Sequence, residues 1–407
     1  MLDIKYIREN PKLVEEGAAA KGFKVDIAKL LKVDEERRNL IEETDKIRQG
    51  RNEAAKNRDE KEGTKLKAEL KEKENSLEKL SEQYYTLIRQ VPNLPKDDVK
   101  VGKNDTENET VKEVGKKTGF AFEPKDHLEL GLGLDLIDTD RAAKISGSRF
   151  AFLKNELVIL EFAIIRYAMD TLMAEGFIPM IPPVIIDKKT VAGLGYPEYE
   201  TSESYQLPEN QYLIGTAEHS IVPMHMDETF QAKDLPRRYV AFSTAFRREA
   251  GSYGKDTKGI FRVHQFDKVE MVSFVLPEDD DREHDYLVSL EEKMMADLGL
   301  PYRLVKMCTG DLGFPTARKY DIEAWIPSQK QYRETHSAST NTDFQSRRLN
   351  IKYQNGNDKG FVSILNATAF AIGRTLIAIM ENYQQKDGSV EIPKVLQKYT
   401  GFTKIPK

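Results

Sequence analysis

One cysteine, Cys308, in 407 residues excludes an intrachain disulfide and a cysteine-rich zinc site. Six histidines are scattered without an HExxH pattern, and the close pair His219 and His225 suits packing or surface roles better than metal ligation. No GxxxxGK[ST] stretch occurs, so a P-loop is not how this chain would hold a nucleotide. Gly131 and Gly133 lack a third glycine at dinucleotide spacing and read as turn glycines. Long apolar runs are missing as well: Leu157 to Ile165 is interrupted by Glu161 and stops at Arg166, and MLDIKYIREN has no basic region followed by an apolar core. Neither a signal peptide nor a membrane span is expected, and a reducing, cytoplasmic compartment fits. Net charge is −5 with 32% charged residues, so any RNA contact must come from a local patch rather than from overall charge.

What is present begins with a charged, proline-free stretch from about Leu30 to Val91. Leu70, Leu77, Tyr84 and Val91 recur every seven residues, with Leu80 and Leu87 as a second row; Val33, Leu40, Ile47 and Ala54 keep the same repeat more weakly. This predicts an antiparallel helical hairpin with its turn at Gly63, stopped by Pro92 and Pro95. At the usual rise, arms of about 30 residues reach on the order of 45 Å. Between Lys46 and Lys73 stand ten basic against six acidic residues, so the half near the turn is net positive. A solvated or dimerising coiled coil explains charged heptads; a positive tip also suits salt-sensitive phosphate contacts.

Residues 1–100 are therefore expected to form an N-terminal domain carrying the hairpin, 101–124 a linker without periodicity, and 125–407 a second domain. In the latter a long helix is predicted from Glu156 to Glu175, and further helices over Asp281 to Leu298 and Phe370 to Gln385. Strands are predicted at Gln211 to Ile214, Val240 to Phe246, Ile260 to Phe266, Lys268 to Phe274 and Ala324 to Ile326. The fold class is α+β: a helical arm followed by an antiparallel sheet flanked by helices.

The most informative segment is Phe246 to Glu270, FRREAGSYGKDTKGIFRVHQFDKVE. Arg247 and Arg248 offer planar forks for phosphate or carboxylate, and Glu249 can orient a fork or accept from a base. A hairpin would return Arg262 and Phe266 beside Arg247, where an aromatic and an arginine could sandwich a purine. From these residues alone a charged surface hairpin serves equally well. Other polar constellations fall at predicted sheet ends: Thr216-Ala217-Glu218, Glu270, Glu334-Thr335-His336-Ser337, and Asn366-Ala367-Thr368 followed by Arg374. Each alone has an ordinary explanation in a helix cap, a surface ion pair or a solvated helix face.

Together and in this order they resemble the motifs of class II aminoacyl-tRNA synthetases, and specifically the seryl-tRNA synthetase family. The resemblance spans the opening (MLDIKYIRENP, then DEERRNL), the arm, Gly176-Phe177 leading to Pro183 as motif one, Phe246 to Glu270 as motif two, and NATAFAIGRTLIAIMENY with GSVEIPKVL as motif three.

The resemblance implies an enzyme that activates L-serine with ATP to seryl-adenylate and pyrophosphate. It then transfers serine to the terminal ribose of tRNA(Ser), and of tRNA(Sec) where present. By the same resemblance Arg247 holds the α-phosphate and the amino-acid carboxylate, Arg374 faces the γ-phosphate, and Arg248, Glu249, Val263 and Phe266 surround the adenine end. Glu334, Thr335, His336 and Ser337 match ATP-holding positions, with Glu334 and Ser337 holding Mg2+, a hard cation suited to oxygen ligands. Serine is expected among Thr216, Ala217, Glu218, Arg247, Glu270, Asn366 and Thr368. Arg247, Arg374 and Glu334 are the expected catalytic residues, acting by charge stabilisation and positioning. The arm would grip tRNA, the loop 251–259 would meet its acceptor end, and motif one implies a homodimer.

Asn366-Ala367-Thr368-Ala369 stands where Asn-Gly-Ser-Gly is usual in the family, and Ser337-Ala338-Ser339-Thr340 where Ser-Cys-Ser-Asn is usual. Thr368 retains a hydroxyl. A ligase that loads a carrier protein would have lost the arm, and a non-catalytic RNA-binding relative would have lost Arg247, Glu270 or Arg374; this chain keeps all of them.

Overall fold

The computed structural model describes residues 1–196, 202–250 and 258–407, in two compact units, Met1–Leu94 and Pro95–Lys407. In the first, helix α1 (Ile27–Lys56) and helix α2 (Glu60–Arg89) lie antiparallel. The heptad residues Val33, Ala54, Leu70 and Tyr84 are buried between them, together with Ile88. Cross-helix pairs Arg48–Glu74 at 2.9 Å and Lys73–Glu43 at 2.6 Å fix the register. Being exposed, they contribute little to stability.

The turn is not at Gly63. Arg58 takes φ 56° to reverse the chain, and the Asp59 carboxylate caps α2 by accepting from the Glu62 N–H at 3.0 Å. Gly63 falls in the first turn of α2, where a local cap outweighs the breaker tendency of glycine. Two short helices, Ile4–Glu9 and Pro11–Ala20, precede the hairpin, and Arg8 pairs with the buried Asp34 of α1 at 3.3 Å.

The second unit is organised by an eight-stranded sheet. Its strands in chain order are β1 (Glu109–Val114), β2 (Ile178–Met180), β3 (Arg237–Phe246), β4 (Gln265–Val275), β5 (Tyr302–Lys306), β6 (Arg318–Ile326), β7 (Gln331–Thr340) and β8 (Ser363–Ala371). Across the sheet they run β1-β5-β6-β7-β8-β4-β3-β2, antiparallel except for β2 on β3. Helices α3 (Glu156–Ala174), α4 (Asp280–Asp297) and α5 (Ile372–Asn382) cover one face. Leu160, Ile164, Met294 and Leu376 meet Val269, Met271, Ala367 and Phe370 there in the main core. No helix among the described residues is long and apolar enough to cross a membrane.

Three sequence expectations change. Residues 260–264 are not strand: the His264 N–H donates to Arg149 O at 3.0 Å, and β4 begins only at Gln265. Phe370 and Ala371 end a strand instead of starting a helix, because pairing with β4 overrides the helix preference of the alanine-rich stretch. Within the expected linker, β1 pairs with β5; its side chains are nearly all exposed, so no alternation marked it.

Candidate functional site

On the face of the sheet opposite the helices a cleft of about 560 Å³ opens over β4, β6, β7 and β8. That volume suits a nucleotide-sized ligand. Strand alternation supplies its floor: Phe266, Lys268 and Glu270 on β4 face the cleft, while Val269 and Met271 between and beyond them enter the core.

Two β-bulges adjust the neighbouring strands. On β7 the register passes from Glu334 opposite Glu323 to His336 opposite Ile322, leaving Thr335 as the extra residue. Glu334 and Ser337, three positions apart, consequently both line the cleft. On β8 Thr368 pairs with Glu270 and Phe370 with Val269, so Ala369 is extra and Thr368 and Ala371 share the cleft face. Bulges re-aim side chains in this way beside functional sites.

Arg247, Arg374 and Lys319 bring cations to the cleft. Arg247 donates through Nε to Gly215 O at 3.1 Å, and its guanidinium lies 5.4 Å from the Phe266 ring centre. Arg374, from the first turn of α5, donates to Glu334 O at 3.0 Å and pairs with the Glu334 carboxylate at 3.1 Å. Partial burial opposes ionisation of Glu334, whose side chain is still 44% exposed, but Arg374 and Lys319 outweigh it and hold the carboxyl at about 2. Glu249, at φ 51°, pairs with Arg262 at 3.5 Å, and Val263 lies in the same wall.

Two buried carboxyls also line the cleft. Glu218 is buried, and its Oε1 accepts from Tyr196 OH and Gln345 Nε2, each at 2.9 Å. Burial pushes the Glu218 carboxyl up against those hydrogen bonds. Glu270 is 1% exposed and is pushed up to about 7, mainly by burial, with Lys268 opposing. Lys268 forms an ion pair with Glu270 and donates to Thr216 Oγ1 at 3.1 Å. Asn366 and Thr368 line the cleft as well.

The cleft thus gathers Thr216, Glu218, Arg247, Glu249, Val263, Phe266, Glu270, Glu334, Thr335, Ser337, Asn366, Thr368 and Arg374. Three expected residues are not among its walls. Ala217 is wholly buried in a second apolar cluster, and Arg248 is exposed, its N–H donating to Glu203 O at 2.8 Å. His336 points into the helix-covered core, its ring edge-on to Phe370 at 5.3 Å, because the Thr335 bulge returns it to that face. Of the loop 251–259, expected to meet the acceptor end of tRNA, residues 251–257 lie outside the described residues. Lys268, Lys319, Tyr196 and Gln345 were missed. Lys268 was within reach of the sequence, since a period of two places it on the face of Glu270.

Comparison with known proteins agrees with this architecture. Residues 1–95 match the seryl-tRNA synthetase N-terminal domain, and residues 199–383 match the class II tRNA synthetase core domain (G, H, P, S and T). The chain is 42% identical to the serine-tRNA ligase of Dictyoglomus thermophilum, with 100% of this chain and 99% of that one covered. It is also 42% identical to the serine-tRNA ligase of Clostridium tetani, with both chains fully covered. Among solved structures it superposes on the Pyrococcus horikoshii seryl-tRNA synthetase complexed with ATP at a TM-score of 0.93 and 40% identity, covering 100% and 99% of the two chains. The cytoplasmic serine-tRNA ligase of Naegleria fowleri, in complex with AMP, gives 0.91 at 32% identity, with the same coverage. An enzyme with this arm, this sheet and this cleft, matched over its whole length, belongs to the seryl-tRNA synthetase family.

Proposed function

We propose that the cleft binds ATP and L-serine side by side and joins them as seryl-adenylate, releasing pyrophosphate. The observation that carries this reading is one continuous cleft lined both by the cations Arg247 and Arg374 and by Glu218, Glu270 and Thr368. Phe266 stacks on adenine, Glu249 accepts from its amino group and the Val263 backbone reads its edge. Arg247 takes the α-phosphate together with the serine carboxylate, and Arg374 takes the γ-phosphate. Glu334 and Ser337 offer oxygen donors only, and no cluster of three or more His, Cys, Asp or Glu side chains gathers among the described residues. That set fits Mg2+, which keeps waters and phosphate oxygens, and which when bound would neutralise charge on the phosphates.

Glu218 and Glu270 receive the serine ammonium, while Glu270 and Thr368, paired across the sheet, read its hydroxyl. The serine carboxylate then attacks the α-phosphorus and pyrophosphate leaves. No protein nucleophile is needed, since positioning and charge stabilisation carry the step. In the second step the terminal ribose of tRNA(Ser), or of tRNA(Sec) where present, takes the seryl group. Lys56, Arg58, Lys61, Lys65 and Lys67 lie exposed around the hairpin turn, which supports a phosphate grip by the arm. Ile159 and Phe162 on α3, 45% and 61% exposed, with Ile181 at 81%, support a homodimer through this apolar surface.

Serine-dependent exchange of labelled pyrophosphate into ATP, without RNA, tests the reading. Exchange with serine and not with alanine or glycine is expected. Exchange with another amino acid and not serine overturns it. A site that pairs a substrate hydroxyl rejects analogues lacking it by about 10⁴-fold.

A further inference from the structure

His127 does not line the cleft, yet it meets the backbone of a segment that does. It opens the short helix His127–Gly133 and is 5% exposed. Its Nε2 accepts from the Ile260 N–H at 3.4 Å, and its Nδ1 lies 3.4 Å from Glu381 Oε1. With Nε2 accepting, the ring proton stands on Nδ1 and is donated to the carboxylate. Glu381 is 0% exposed and is itself fixed by backbone donors: Oε1 accepts from the His127 N–H at 3.0 Å and Oε2 from the Ser328 N–H at 3.1 Å. The ring approaches the backbone closely enough to dictate a neighbouring residue. A Cβ on Gly259, at φ 66°, would stand 2.1 Å from His127 Nε2. A ring that merely filled space would not need a buried carboxylate at one nitrogen and a backbone donor at the other.

Ile260 and Phe261 both line the cleft, and Phe261 carries the contact onward. The guanidinium groups of Arg333 and Arg374 lie 4.1 and 5.0 Å from the centre of its ring, within cation–π range. The first turn of α5 also sits against this segment, since a Cβ on Gly373 would stand 3.2 Å from Ile260 O. Arg374 and Glu381 lie near opposite ends of that same helix. Helix α5 therefore holds the segment at two points, through Arg374 on Phe261 and through Glu381 and His127 on Ile260.

We propose that His127, oriented by Glu381, is a positioning residue for ATP: it fixes the Ile260 peptide and, through Phe261, the guanidinium of Arg374. The proposal rests on the reading of Arg374 as the partner of the γ-phosphate. Glutamine can present an amide oxygen where Nε2 stands, whereas leucine fills the space without an acceptor.

The test compares H127L, H127Q and G259A in ATP–pyrophosphate exchange. H127L raises the KM for ATP about tenfold and leaves the serine KM within about twofold, as expected when one buried backbone donor loses its partner. H127Q keeps both within about threefold of wild type. G259A, whose methyl group displaces the ring with His127 itself intact, repeats the H127L pattern, so the test survives if H127L misfolds. An unchanged ATP KM in H127L and G259A, parallel rises in the ATP and serine KM, or an H127Q as impaired as H127L overturns the proposal. R374A, measured in parallel, tells the two readings apart. A normal ATP KM there removes the γ-phosphate assignment and the proposal with it, and an impaired R374A beside a normal H127L removes only the role of His127.

Discussion

Lys268 and Glu270 stand two residues apart on β4 and close an ion pair inside the cleft, and the same lysine donates to Thr216. Burial places the Glu270 carboxyl at about 7, with Lys268 keeping it from rising further. If the ionised form receives the serine ammonium, serine use falls as pH drops through about 7. Lys268→Met removes the opposing cation and moves that midpoint upward, by about one to three pH units for a pair this close. The pH profile of kcat/KM for serine checks this; an unmoved midpoint means that Glu270 is not the titrating group.

A second carboxyl governs stability. Glu161 of α3 and Asp267 of β4 line one pocket, and burial first, then Asp267, push Glu161 up to about 8. Its folded value thus lies above the unfolded value of about 4.3. The stability it lends is fully present below the unfolded value and is lost as pH rises through about 8. Glu161→Gln cannot ionise, so its melting temperature should match wild type in mild acid and exceed it in alkali, by roughly 1–2 °C for about 1 kcal/mol of relief. Coincident melting curves at alkaline pH would refute the assignment.

The arm yields a salt prediction. Replacing Lys61, Lys65 and Lys67 by glutamine should leave pyrophosphate exchange unchanged and weaken tRNA binding. The slope of log affinity against log salt should fall by about one for each lysine that meets a phosphate. An unaltered slope would remove these lysines from the RNA contact.

Phe162→Asp places a charge on the exposed apolar side of α3. Light scattering should show wild type at twice the chain mass and the variant at the chain mass, with exchange reduced. A fully active wild-type monomer would discard the dimer.

Legibility of the sequence followed the range of the interactions involved. The heptads of α1 and α2 were plain because helical pairing is local, whereas the turn was misplaced by the competition between Gly63 and the Asp59 cap. Arg247, Glu270 and Arg374 were recognisable within motifs. His336 was not separable from Glu334 and Ser337, since only the ladder reveals that Thr335 is the extra residue. Tyr196 and Gln345 reach Glu218 from segments 22 and 127 residues away, and no local pattern points to such partners.

The bulges at Thr335 and Ala369 also bear on how these strands tolerate changes of length. Elsewhere in β7 or β8 the gain or loss of a single residue would exchange cleft side chains for core side chains beyond that point. At 335 and 369 the extra residue is already outside the pairing, so its removal leaves the other side chains of both strands on their present faces, at the loss of Thr335 from the cleft or Ala369 from the core. Length variation among functional homologues or engineered variants should therefore concentrate at these two positions, even where neighbouring sites accept many substitutions.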